Sequence, residues 1–133
     1  MTRIVVLLGL GLLLVASGYA QQNEPRFTGK SVVMEGKDLS VARRSFEAGA
    51  RTFWHSHANG QLLMVEDGRM RTQKKGGPIK ELGKGESDYA GPNMVHWHGA
   101  ASAQALVQIN VGFSGETKWL DMVTDAEYEG KAK

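Results

Sequence analysis

No cysteine occurs anywhere in the 133 residues. A disulfide framework is therefore excluded, and stability must come from core packing, sheet closure, association or a bound metal. Long apolar runs are missing too, except at the very start. There, MTRIVVLLGLGLLLVASGYA carries Arg3, an apolar run from Ile4 to Ala16, and the small residues Gly18 and Ala20. The run is shorter than the ~20 residues a membrane-spanning helix needs. It reads as a secretory signal peptide over 1–20, cleaved after Ala20, so we expect an exported protein, periplasmic or secreted, with no membrane contact after cleavage. No cysteine follows to carry a lipid.

An excess of charge of one sign is also lacking. The formal net charge is +2, and removal of Arg3 leaves +1. The basic residues are scattered apart from Arg43-Arg44 and Arg71…Lys74-Lys75, which gives no nucleic-acid footprint. There is no repeat, linker or low-complexity segment, and the length suits one domain with one core.

Glycine and proline punctuate what remains, from Gly36 and Gly49 through Gly60, Gly68, Gly76-Gly77-Pro78 and Gly91-Pro92 to Gly99. Between them lie short runs with period-two alternation: Leu39–Phe46, Thr52–His57, Leu62–Glu66 and Ala105–Val111. Such spacing predicts an all-β barrel or sandwich. Gly68 and Gly76-Gly77 predict a hairpin around the polar segment Arg69 to Lys75. The stretch Lys118 to Tyr128 reads as helical, with Thr124 as cap and Glu127 three residues later. Residues 21–34 read as an extended arm.

The whole histidine content is four residues, arranged as His55-Ser-His57 and His96-Trp-His98. On a strand, residues i and i+2 point to the same face, so each pair aims together. Neutral imidazoles presented in this way suit a divalent metal. Gln61 follows an Ala-Asn-Gly turn that lets the chain double back and bring a carbonyl oxygen to the same point. Trp54 and Trp97 alternate with the histidines and should point away from the site, as packing residues under the outer sheet or a partner subunit. Phe53 shares the parity of His55 and is expected to wall the pocket. Met64, Met70 and Met94 read as core filler.

Gly49-x5-His55-x-His57-x3-Gln61-x6-Gly68 resembles the first motif of the cupins, with glutamine in the usual glutamate position. Gly85-x6-Pro92-x3-His96 resembles the second, with Pro92 one residue nearer the histidine than usual. The resemblance covers residues 35–125 and leaves 126–133 as a tail. It implies a double-stranded β-helix (jelly-roll) barrel with a short C-terminal helix, holding a metal through His55, His57, Gln61 and His96. More narrowly, the chain is similar to small bacterial cupins that include manganese-dependent hydroxynitrile lyases. The shared features are the ligand set, His96-Trp-His-Gly-Ala100, and Trp119…Val123-Thr-Asp…Tyr128. Manganese is the ion so implied, with iron, nickel or zinc as alternatives. Small cupins commonly associate, so a homo-dimer or tetramer is expected.

Four neutral ligands leave the ion its full double charge and strengthen its Lewis acidity. His98 shares the face of His96 and is either a further ligand or a base beside the metal. Two positions depart from the lyase pattern. Gln108 stands where those lyases carry another histidine; it can hydrogen-bond a substrate but is no base. Arg44 lies on one face with Ala42 and Phe46, where the lyases have a small apolar residue. Projecting inward it would seek a carboxylate, and otherwise it reaches out at the barrel rim. The expected function is a metal-dependent lyase acting on a small molecule, with an iron-dependent dioxygenase or a non-catalytic binder of a small acid or sugar as alternatives.

Overall fold

The computed structural model describes Thr28, Ser31 and residues 33–132. The signal peptide expected over 1–20 lies outside them, as does most of the arm expected over 21–34. From Gly36 onward eight strands follow: β1 (Ser40–Phe46), β2 (His55–His57), β3 (Gln61–Lys74), β4 (Ile79–Gly83), β5 (Ser87–Ala90), β6 (His96–Ala100), β7 (Leu106–Gly112) and β8 (Thr117–Trp119). One helical turn, α1 (Asp125–Tyr128), closes the chain. The strands hydrogen-bond in the order β1-β7-β3-β6-β2-β8, with β4 and β5 also on β3. The curled sheet is a double-stranded β-helix.

Strand β3 is the spine of this arrangement, and it corrects one expectation. Arg69–Lys75 is not a hairpin loop. The strand runs unbroken through Gly68, pairing first with β5 and β7 and then with β4 and β6. Gly68 sits beside a register shift at Val65/Asp67, with a φ of 80°. A Cβ there would collide with the Ala105 carbonyl. The glycine thus marks a bulge that bends one long strand from one half of the barrel into the other. Only Lys75–Pro78 turns, into β4.

The C-terminal segment supplies a second correction. Thr117–Trp119 is a strand paired with β2, so helix begins only after Thr124. The capping box itself is present: Thr124 Oγ1 accepts from the Glu127 amide, and Glu127 accepts from the Thr124 amide. This short helix covers the outer face of β6. Trp54, Trp97, Val123 and Tyr128 form a buried cluster, with the two indoles edge to face at 6.5 Å. Tyr128 donates to the Ala100 carbonyl at 2.8 Å, and the Arg51 guanidinium lies 4.5 Å from its ring centre. The tryptophans do point away from the histidine face. They are covered by their own chain, however, and are not free to meet a partner subunit.

A separate cluster of Leu63, Val65, Met70, Ala100 and Leu106, with Phe46 and Leu82 against it, fills the other part of the core. Burial on both faces of β6 leaves all five of its residues inside. That is the strand carrying His96 and His98.

Candidate metal centre

The two histidine pairs meet because their strands are neighbours. His55 on β2 is the register partner of His96 on β6, and their ring centres lie 4.3 Å apart. His57 stands 5.0 Å from His55 and 5.7 Å from His96; His98 stands 5.3 Å from His55 and 5.9 Å from His96. His55, His96 and His98 each offer a ring nitrogen within 4.8 Å of the others. Gln61 reaches the same point from the first position of β3. The turn that brings it there needs Gly60, whose φ is 88°; a Cβ would lie 2.8 Å from the Ala90 carbonyl oxygen.

Second partners orient the rings. His55 Nδ1 lies 2.9 Å from the Phe53 carbonyl oxygen, and His96 Nδ1 lies 2.9 Å from that of Met94. A carbonyl only accepts, so Nδ1 carries the proton in both rings and Nε2 keeps its lone pair. His96 Nε2 then faces Gln61 Oε1 at 3.1 Å. Two lone-pair atoms at that distance repel, and a cation held between them relieves the repulsion. His57 Nδ1 lies 3.0 Å from Thr117 Oγ1, while its Nε2 is buried and makes no well-formed hydrogen bond among the described residues. Such an arrangement could hold a metal ion, and the donor set of imidazoles and a carbonyl suits a divalent transition ion.

Electrostatics agree. Burial holds the His55 pKa down to about 4, with the neighbouring His96 and His57 adding to the effect against the Phe53 hydrogen bond. Burial likewise lowers His57 and His96, and takes His98 well below its ordinary value. All four rings are therefore neutral near pH 7 and able to donate electron pairs.

His98 is completely enclosed and touches the edge of Phe46. The Gln108 amide nitrogen lies 3.2 Å from His98 Nδ1 and also donates to Asn110 Oδ1, while Gln108 Oε1 is buried without a hydrogen-bond partner among the described residues. A half-turn of the Gln108 amide, matched by Asn110, would set Oε1 on a His98 Nδ1–H. Its Nε2 would then carry the lone pair.

Above the imidazoles opens a cavity of about 380 Å³, within the size range of small-molecule sites. His55, His57, Gln61 and His98 line it, and Arg44 and Phe46 contribute from β1. Arg44 is at the mouth, exposed to solvent, on the face shared with Ala42 and Phe46. Gln108 is its register partner on β7 and lies deeper, fully buried and outside the lining. Phe53 is not brought to the cavity. Strand β2 begins only at His55, so the alternation that placed Phe53 beside it does not reach back that far, and the residue is 48% exposed. Five lining residues escaped the sequence reading: Arg51, Thr52, Asn110, Thr117 and Trp119. Trp119 lies 4.8 Å from His55, ring centre to ring centre, Thr117 holds His57, and Asn110 touches Gln108. The period-two spacing of Thr117 and Trp119, and of Gln108 and Asn110, was the available signal.

The cupin-domain family model matches residues 42–112, the stretch that holds every one of these histidines. The chain is a cupin. It is 38% identical over 93 residues to the (R)-mandelonitrile lyase of Granulicella tundricola, covering 68% of this chain and 71% of that one. A cupin-like protein of Thermotoga maritima is 41% identical, with a TM-score of 0.68 over 72% of this cupin and 74% of the other. A double-stranded β-helix protein of Klebsiella pneumoniae shares the fold alone, at 23% identity and a TM-score of 0.57, over 68% and 82% of the two chains.

Proposed function

We propose that this cupin is a metal-dependent lyase that cleaves a carbon–carbon bond in a small hydroxylated molecule. The observation that carries the metal half of this reading is the 3.1 Å approach of His96 Nε2 to Gln61 Oε1, two lone-pair atoms aimed at one point. The likeness to a protein named (R)-mandelonitrile lyase supports the lyase half. His55, His57, Gln61 and His96 would hold the ion, with manganese the favoured identity. Once bound, it would supply Lewis-acid polarisation of a substrate oxygen.

The residues around it have separable tasks. His98, neutral and one strand position pair from the ligands, takes the hydroxyl proton at Nε2 when Gln108 presents its carbonyl oxygen to Nδ1. As the carbon–carbon bond breaks, its electron pair leaves with the departing group; with a cyanohydrin that group is cyanide. The proton held on His98 passes to it, and an aldehyde remains. Phe46 and Trp119 offer apolar wall to the substrate. Export, argued from the first twenty residues, would place this chemistry outside the cytoplasm.

Release of cyanide from (R)-mandelonitrile by the manganese-loaded protein is the direct assay. Turnover should persist under nitrogen and vanish in a His55→Ala, His96→Ala variant. Turnover that requires oxygen would replace the lyase reading with an oxygenase.

A further inference from the structure

Five arginines lie among the described residues, and four of them are held. Arg43 grips Glu66 at 2.6 and 2.8 Å. Arg51 is tied to Asp125 and to the Val123 carbonyl. Arg69 and Arg71 share Glu81, each at 3.8 Å. Arg44 alone makes no hydrogen bond and no ion pair among the described residues. Its neighbour in sequence, on the opposite face of the same strand, has a bidentate carboxylate. Arg44 faces the cavity instead.

Among the described residues no aspartate or glutamate lines that cavity, and the other cation in its lining, Arg51, is already paired with Asp125. The single uncommitted charge at the mouth is therefore positive, and a bound metal would add to it. A neutral substrate gains nothing from such a field. An anion is drawn in and oriented, and a planar guanidinium matches a carboxylate with two parallel hydrogen bonds.

We propose that the natural substrate is a small hydroxy acid, whose carboxylate pairs with Arg44 while its hydroxyl lies over the imidazole cluster. This rests on the reading of that cluster as a metal centre, and it makes Arg44 the residue that sets specificity for charge. The exposure of Arg44 keeps the gain modest, because water competes for its donors.

Mandelate and mandelamide form a matched pair, equal in size and each with a hydroxyl, differing in one charge. Titration calorimetry on the manganese-loaded full chain should show mandelate binding at least about tenfold tighter. Arg44→Gln should erase that difference and Arg44→Lys should keep part of it, with manganese content unchanged in both. Equal affinities in the parent, or a preference for mandelate that survives Arg44→Gln, would overturn the proposal. Inorganic phosphate binding more tightly than mandelate would overturn the carboxylate class. Cyanide release by the parent is read separately. Its absence would count against the lyase and leave the charge comparison standing.

Discussion

His55 and His96 are register partners across β2 and β6, and each ring donates from Nδ1 to the carbonyl two residues before it, Phe53 and Met94 respectively. The two imidazoles are thus anchored in the same way by two unrelated segments. Both are fixed in the tautomer that leaves Nε2 free, before any ion arrives. Preorganisation of this kind lowers the ordering cost of binding.

Removing those two rings should remove the ion. Elemental analysis of the parent is expected to give one divalent metal per chain, and none in the His55→Ala, His96→Ala variant. Gln61→Glu should raise affinity by roughly tenfold or more, because a carboxylate replaces a neutral oxygen in the ligand set. Equal retention of metal by all three proteins would place the ion elsewhere.

The metal-free protein should lose stability in acid. The His55 pKa is about 4 in the folded chain, below its ordinary value of 6.5. The unfolded state therefore binds more protons between those limits, and stability falls as pH drops from 6.5 toward 4. His55 alone accounts for about 3 kcal/mol at the acid end, and the other three lowered histidines act in the same direction. Urea melts in the presence of a chelator, from pH 7.5 to 4.5, measure this slope. A flat profile would contradict it.

Gln108 should govern how basic His98 is. Replacing it with glutamate puts an anion against Nδ1–H and raises the imidazole pKa. In Gln108→Glu the acidic limb of the pH dependence of kcat/KM is expected to move to higher pH, while metal content stays at the parent value. His98→Ala should lower kcat by about 100-fold or more. An unmoved limb would remove Gln108 from the proton path.

The C-terminal turn should matter to stability well beyond its four residues. Tyr128→Phe loses the hydrogen bond to the Ala100 carbonyl and is expected to cost about 1 kcal/mol. Trp97→Ala should cost about 3–5 kcal/mol by opening a cavity between Val123, Tyr128 and Trp54. Thermal melts of the two variants would show that order, and its reversal would mean that the helix packs differently.

By itself the sequence determined that each histidine pair shares a face, because a strand repeats every two residues whatever it packs against. It likewise determined the capping box at Thr124, a local pattern of four residues, and the glycine turn that returns Gln61. Only the tertiary structure decided which strands become neighbours, and so that His55 lies opposite His96. It also decided where alternation stops. Phe53 falls two residues short of β2 and is exposed, and Thr117–Trp119 pairs with β2 although the stretch from Lys118 reads as helix. Depth was equally beyond reach of pattern. Arg44 and Gln108 are register partners on one face, yet one reaches water at the mouth and the other is sealed beneath it. Periodicity assigns a side, while burial depends on what the rest of the chain lays over that side.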